Sequence, residues 1–192
     1  MSLVSNLFLL FVAASILIYY IVPRKSQWIV LLIFSYFYYI AGGPRYVVFI
    51  LFSTLVTWLM ALLIEKAEGK ENHKGARKLL ILGLILNFGM LGIVKYTNFA
   101  LENINALLHL NLRGIQLLLP LGISFYTFQS SGYLLDVYWK RCKAERHPLK
   151  YALFVSFFPQ ILQGPIGRYS RLADQLYAEH RFEGNNIIRG FE

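Results

Sequence analysis

Long apolar runs separated by short polar segments make up most of this chain. The five runs are Leu3 to Val22, Trp28 to Ala41, Tyr46 to Ile64, Leu79 to Tyr96 and Gln116 to Tyr138. Four of them approach the roughly 20 residues that an α-helix needs to cross bilayer hydrocarbon. The second run is shorter and rich in Tyr and Phe, which favours a tilted helix or one supported by neighbours. The pattern predicts an all-α, multi-pass membrane helix bundle with about five spans.

The segments between the runs predict turns and one surface helix. Gly42-Gly43-Pro44 is a strong turn signal, and Glu65 to Lys78 is a polar loop. The segment Thr97 to Gly114 is amphipathic, so we expect an interfacial helix from Asn98 to Leu110. Small and polar residues in the third and fourth runs predict helix packing and interhelical hydrogen bonds; they are Ser53, Thr54, Thr57, Gly83, Asn87, Gly89 and Gly92.

The region after the fifth run is apolar but cannot form one plain helix. Tyr151 to Leu162 provides only about a dozen apolar residues, well short of a span. Phe157 to Tyr169 contains two prolines and two glycines, so its backbone leaves N–H and C=O groups without helical partners. At membrane depth such backbone is tolerated only when it is buried in protein or lines a cavity. We therefore predict a broken, re-entrant segment here, followed by a short amphipathic helix from Arg171 to Ala178 with Ser170 as its N-cap.

Composition and charge agree with a membrane protein. The 192 residues are 57% hydrophobic and 15% charged, which excludes an ordinary soluble domain. The net charge of +9 could indicate nucleic-acid binding, but the basic residues lie in loops between apolar runs, so no nucleic-acid partner is expected. Residues 23–27, 65–78 and 140–150 hold two, five and five Lys or Arg, against one and two in 42–45 and 95–114. The positive-inside rule then predicts an N-terminus outside the cell (inner or plasma) membrane.

Candidate functional residues lie in the fifth run and in the broken segment. Helical spacing places Gln129 and Asp136 on one face, where they either line a substrate path or hold neighbouring helices together. Asp136 also fits an interfacial position near Arg141. In the broken segment, Arg168 could bind a phosphate or carboxylate, or it could pair with free carbonyl groups or lipid headgroups. Gln160 can satisfy irregular backbone as well as contact a substrate.

Other common catalytic signatures are missing from the sequence. The four histidines, His73, His109, His147 and His180, lie outside the long apolar runs, and none has a carboxylate at a spacing that suggests a dyad. No metal-binding, nucleophile-elbow or phosphate-loop motif occurs, so no metal is expected. The single cysteine, Cys142, excludes an intramolecular disulfide and leaves a free thiol or S-palmitoylation open.

Two long motifs resemble the membrane-bound O-acyltransferase family. Residues 119–130 (LPLGISFYTFQS) with 133–138 (YLLDVY) look like its signature span, and 157–169 (FFPQILQGPIGRY) is similar to its second signature. The likeness is to the branch that contains the alginate O-acetylation protein and the D-alanyl transfer protein of teichoic acid synthesis. It runs over nearly the whole chain, which we take as one domain portion, residues 1–192.

The resemblance implies transfer of an acyl group, with acetyl as the expected one, to hydroxyls of a cell-surface or secreted polysaccharide. No cofactor is implied; the donor would be a cytoplasmic thioester, either acyl-CoA or an acyl-carrier protein, and accessory acetylation proteins are possible partners besides membrane lipid. The residues that it places near an acyl tunnel are Gln129, Gln160, Gly164, Pro165 and Arg168.

The resemblance also implies that this chain is the N-terminal two-fifths or so of such an enzyme. Family members continue with further spans and a helix that carries the histidine regarded as the catalytic general base. That histidine has no counterpart here, so we expect the fragment alone to be inactive. One alternative is a non-catalytic membrane scaffold or partner-binding subunit. Another is a small transporter, for which we find few facing polar pairs.

Overall fold

Helices account for all regular structure in the part of the chain that the computed structural model describes, residues 6–108, 122–163 and 167–181. They are α1 (Asn6–Ile21), α2 (Gln27–Gly42), α3 (Val47–Glu68), α4 (His73–Leu108), α5 (Ile123–Tyr138), α6 (Pro148–Ser156), α7 (Phe158–Gln163) and α8 (Tyr169–Tyr177). Short 3₁₀ turns, Arg24–Ser26 and Pro44–Tyr46, connect α1 to α2 and α2 to α3. The all-α prediction is confirmed.

Two helices among the described residues are long and apolar enough to cross a membrane. They cover Pro44–Glu68 and His73–Leu107. The 22 residues of α3 extend about 33 Å at 1.5 Å per residue, which matches the roughly 30 Å of bilayer hydrocarbon. The apolar α1 has 16 residues and is shorter than this. The structure therefore supports a membrane helix bundle with two candidate spans, and the count of five remains a prediction.

Helices α3, α4 and α5 pack together at the centre of the structure. Buried Asn87 of α4 links α4 to α3: its Nδ2 donates to Thr57 Oγ1 at 2.9 Å, and its Oδ1 accepts from Ser53 Oγ at 2.6 Å. Nδ2 also donates a second hydrogen bond, to the Gly83 carbonyl at 3.0 Å. The predicted interhelical hydrogen bonds are therefore confirmed for these side chains, and the Asn87 amide has no unsatisfied donor.

Gly83 is the glycine that brings α4 close to its neighbours. A Cβ at this position would lie 2.8 Å from Cδ1 of Leu134 in α5 and 3.3 Å from Cγ of Met60 in α3. By contrast, a Cβ at Gly89 or Gly92 would have no atom of the described residues within 4 Å. The prediction that all three glycines admit close packing is right for Gly83 and wrong for the other two.

The surface segments around α4 differ from their predicted boundaries. The loop predicted for 65–78 shrinks to 69–72, because α3 continues to Glu68 and α4 begins at His73. The separate interfacial helix from Asn98 is also wrong, because α4 continues without interruption to Leu108. Residues 94–108 contain no Pro or Gly to break the helix. The remainder of that prediction, to Leu110, lies outside the described residues.

The predicted short helix near the end of the chain exists but begins earlier. Helix α8 begins at Tyr169, and its first backbone hydrogen bonds run from the amides of Arg171 and Leu172 to the carbonyl of Arg168. Arg168 is therefore the capping residue, and Ser170, the predicted N-cap, lies inside the helix. The amphipathic character is confirmed, since α8 buries Tyr169, Ala173 and Leu176.

The contrast between Gly83 and Gly89 gives a matched test of the core packing. We expect Gly83→Val to destabilise the protein by about 1–3 kcal/mol, because the new side chain overlaps Leu134 and Met60. Gly89→Val has the same change in helix propensity but enters open space. Thermal unfolding in detergent should therefore show a lower melting temperature for the Gly83 variant. Equal melting temperatures would contradict the close approach of the three helices.

Candidate functional site

The predicted broken segment is broken at Phe157. Helix α6 ends at Ser156, Phe157 has non-helical angles (φ −54°, ψ 104°), and α7 begins at Phe158. Pro159 lies in the first turn of α7, where a residue without an N–H is tolerated. In an uninterrupted helix the Phe158 amide would bond to the Phe154 carbonyl, four residues earlier. The break separates these two groups, and both need other partners.

Side chains from two other helices supply those partners. The Phe158 amide donates to Ser35 Oγ of α2 at 3.3 Å. The Phe154 carbonyl accepts from Gln129 Nε2 of α5 at 3.1 Å. Ser35 and Gln129 are almost fully buried, so water does not compete for these bonds. The interruption is therefore satisfied inside the protein, as backbone of this kind requires in a membrane.

Gln129 and Gln160 meet where α5 contacts α7. The second hydrogen of Gln129 Nε2 points to Gln160 Oε1 at 3.4 Å, and both side chains are at most 8% exposed. Gly167 lies directly against this pair, since a Cβ there would be 2.5 Å from Gln160 Nε2. The two amides and the backbone leading to Arg168 thus form one continuous contact.

Gly122 allows the beginning of α5 to touch α7. It has a left-handed backbone conformation with φ +69°, which favours glycine. A Cβ at this position would be 2.4 Å from Cγ2 of Ile161. The left-handed conformation and the missing side chain at Gly122 thus let the beginning of α5 lie against α7.

Three buried polar side-chain atoms of α5 have no hydrogen-bond partner among the described residues: the hydroxyl of Tyr126, Oγ1 of Thr127 and Oε1 of Gln129. Tyr126 and Gln129 lie about one helical turn apart. Unpaired buried polar groups are uncommon, because each loses its hydration on burial. An acceptor and a hydroxyl in this position can hydrogen-bond a polar ligand group.

The predicted site residues are brought together only in part. Gln129 and Gln160 are in contact, and Arg168 follows Gly167 at the start of α8, where its side chain is exposed. The Arg168 guanidinium makes no ion pair with any described residue. Gly164 and Pro165 lie outside the described residues. Ser35 was not predicted, because it is 123 positions from Phe158 and has no distinguishing local pattern.

Asp136 belongs to a set of ion pairs at the other end of α5. It lies 3.6 Å from Nη1 of Arg141, which agrees with the interfacial interpretation. Glu68 pairs with Lys140 at 3.1 Å, and Glu65 pairs with Arg146. These contacts place the basic segment after α5 beside the end of α3.

The described histidines have structural neighbours and no catalytic arrangement. His73 lies 2.9 Å from Glu68, a carboxylate pairing that the sequence spacing did not indicate. That His73 side chain is 65% exposed, and Glu68 is shared with Lys140, so the pair belongs to the surface. Nδ1 of His180 lies 2.8 Å from the Tyr19 hydroxyl, and His147 packs edge-on against Trp28. His109 lies outside the described residues, and no potential metal cluster occurs within them.

Cys142 is a free, half-buried thiol beside these ion pairs. Burial, with the nearby Asp136 and Glu65 carboxylates as smaller causes, raises its pKa to about 11. The thiolate is the reactive form of cysteine, so this side chain is mostly unreactive near neutral pH.

Comparison with known proteins relates the chain to bacterial O-acetylases. It is 35% identical over 178 residues to the probable alginate O-acetylase AlgI of Pseudomonas syringae pv. tomato, which covers 89% of this chain and 34% of that protein. The identity to the probable alginate O-acetylase AlgI of Pseudomonas aeruginosa is 33%, with the same coverage. The identity to the peptidoglycan O-acetyltransferase of Helicobacter pylori is 34% over 155 residues, 68% of this chain and 29% of that protein. The chain thus spans about a third of the length of these curated relatives. No family model and no solved structure matches it.

The contact between Gly122 and Ile161 can be tested against a second glycine of the same helix. We expect Gly122→Ala to destabilise the protein by about 1–3 kcal/mol, because Ala must adopt a positive φ and overlap Ile161. Gly132→Ala should be neutral or slightly stabilising, since a Cβ there has no described atom within 4 Å and Ala has a higher helix propensity than Gly. Melting temperatures of the two purified variants provide the measurement. Identical values would show that α5 does not begin against α7.

Proposed function

We propose that this chain belongs to the membrane-bound O-acyltransferase family, with the alginate O-acetylases that it resembles, and that it takes part in acyl transfer to a polysaccharide. The acyl group is acetyl, and the acceptor is a hydroxyl of a cell-surface or secreted polymer. The observation that carries this proposal is 33–35% identity to the two O-acetylases over 89% of the chain.

The proposed reaction exchanges one ester for another. The acceptor hydroxyl oxygen attacks the carbonyl carbon of a thioester, the C–S bond breaks, and the thiol leaves as the new C–O bond forms. A base must take the hydroxyl proton. We assign no base to this chain; its residues bind and orient the reacting groups. The thioester is supplied as a cosubstrate, acyl-CoA or an acyl-carrier protein, with no bound cofactor, and accessory acetylation proteins are further partners.

The proposed membrane arrangement has five spans and an N-terminus outside a cell membrane. Three contacts support one common face for the most basic loops: Glu65 with Arg146, Glu68 with Lys140, and Trp28 with His147. These contacts join the segments 23–27, 65–78 and 140–150, or residues next to them, and these are the segments that the positive-inside rule assigns to the cytoplasm. The donor would approach from that face.

The proposed substrate-binding residues are Gln129, Gln160, Gly164, Pro165 and Arg168. Gln129 and Gln160 are buried amides at a helix break, and the Gln129 oxygen has no hydrogen-bond partner among the described residues. Arg168 offers a planar set of donors for a carboxylate, phosphate or carbonyl oxygen. The site thus combines a fixed interior surface with one exposed cation. A non-catalytic scaffold is the less favoured alternative, because the three relatives above are all named for acetyl transfer.

Substitutions in the broken segment test this assignment. Both variants are made in the protein that the complete gene encodes, kept in its own membrane. Arg168→Ala and Gln160→Ala should each lower acetyl transfer by about tenfold or more, since small displacements at a reacting centre are costly. Arg171→Ala, which removes an exposed arginine from the first turn of α8, is the matched control. Polymer O-acetyl content and the amount of membrane-inserted protein should both be measured.

Two results would contradict the proposal. Unchanged transfer in both variants would remove the broken segment from the site. Absence of any acetyl transfer by the unsubstituted protein that the complete gene encodes, when thioester donor and polymer are supplied, would overturn the function itself.

A further inference from the structure

Glu145 connects the basic segment after α5 to three other parts of the structure. Its backbone N–H donates to the Tyr133 hydroxyl of α5 at 2.8 Å. Its carbonyl accepts from Trp58 Nε1 of α3 at 2.9 Å. One carboxylate oxygen, Oε1, accepts from the His147 amide at 2.8 Å. The backbone of Glu145 is therefore bound to α5 and α3, and one carboxylate oxygen is bound within its own segment, which leaves Oε2 for a further partner.

That second oxygen accepts a hydrogen bond from Tyr169. The Tyr169 hydroxyl donates to Glu145 Oε2 at 2.6 Å, and the Tyr169 ring packs on Tyr133 and Phe154 with centroid distances of 4.7 and 4.9 Å. Burial, then the neighbouring Tyr177 and Glu145, raise the pKa of Tyr169 above its ordinary value. The phenol stays protonated near neutral pH and can serve as the donor.

Tyr169 is the first residue of α8 and directly follows Arg168. We propose that Glu145 is a positioning residue for the acyl-transfer site: through Tyr169 it fixes the start of α8, and with it Arg168, relative to the helix break. The inference rests on the proposed function. It assigns Glu145 no contact with substrate, and it gives Arg168 a fixed backbone position although its side chain is exposed.

A purely structural role would predict a different outcome, and Tyr177 provides the comparison. Its hydroxyl also bonds to the segment after α5, donating to the Lys150 carbonyl at 2.6 Å, and the residue is half-buried. Its side chain neighbours that of Tyr169, but its backbone lies eight positions later, at the far end of the helix from Arg168, and Tyr177→Phe leaves the Tyr169–Glu145 hydrogen bond in place. Removing either hydroxyl costs the fold one hydrogen bond, but only the Tyr169 bond acts next to Arg168.

The experiment compares acetyl transfer by Tyr169→Phe and Tyr177→Phe, both made in the protein that the complete gene encodes, with an acetyl thioester as donor and the polymer as acceptor. We expect about tenfold lower kcat/KM for Tyr169→Phe and less than about twofold for Tyr177→Phe, because small displacements of a binding group are costly.

In an Arg168→Ala background, adding Tyr169→Phe should lower the rate by less than about twofold, since two changes acting through one group are not additive. Glu145→Gln, which can still bond the phenol, should retain most of the transfer that Glu145→Ala loses.

Each alternative result has a definite meaning. Equal losses for the two Tyr variants, or a full additional loss in the Arg168→Ala background, would overturn the positioning role while leaving the proposed function intact. If Tyr169→Phe fails to accumulate in the membrane, the Glu145 variants provide the test. Equal transfer rates for Glu145→Gln and Glu145→Ala would then overturn the positioning role. An unaltered protein without transfer would instead reject the proposed function, and the inference with it.

Discussion

A helix break within the apolar interior removes the hydrogen bond between one backbone amide and one backbone carbonyl, and side chains of other helices provide new partners for both. The Phe158 N–H and the Phe154 C=O would be partners in a continuous helix. Here Ser35 of α2 takes the first, and Gln129 of α5 takes the second. Because an unpaired buried peptide group is costly, both helices must lie against the α6–α7 junction. The same requirement accounts for Gly122, since only a residue without a side chain lets α5 begin so close to α7.

This constraint also gives the proposed site its character. The Gln129 amide nitrogen donates to the last turn of α6 and to Gln160, while its oxygen has no partner within the described part of the chain. One side chain therefore connects the fold to the candidate site. Binding groups on such a support are held in place before a substrate arrives, which is what positioning in catalysis requires. At the other end of the broken segment, the bond between Tyr169 and Glu145 connects α8 to the segment that carries the basic residues. The segment from 157 to 169 is thus anchored at both ends by side chains distant in sequence.

Much of this organisation could be predicted from the sequence, because local chemistry determines it. Long apolar runs predict the helices, and two prolines with two glycines predict the break. The pairing of Asn87 across helices follows from a polar residue in an apolar run. Features that depend on distant partners could not be predicted: Ser35 resembles any serine of an apolar helix, and Glu145 any glutamate of a polar loop. The error at Asn98 has the opposite cause, since a change from apolar to amphipathic composition suggested a boundary where α4 continues.

The most direct test of this account is the hydrogen exchange rate of the Phe158 amide in the membrane-reconstituted protein. If Ser35 Oγ accepts that amide, it should be protected in the unaltered protein, and Ser35→Ala should accelerate its exchange by about tenfold or more, as expected for loss of a buried hydrogen bond of about 1.5 kcal/mol. Amides of α3, which do not depend on Ser35, should be unaffected. An unprotected Phe158 amide, or one whose exchange does not respond to Ser35→Ala, would contradict the claim that side chains from α2 and α5 hold the break.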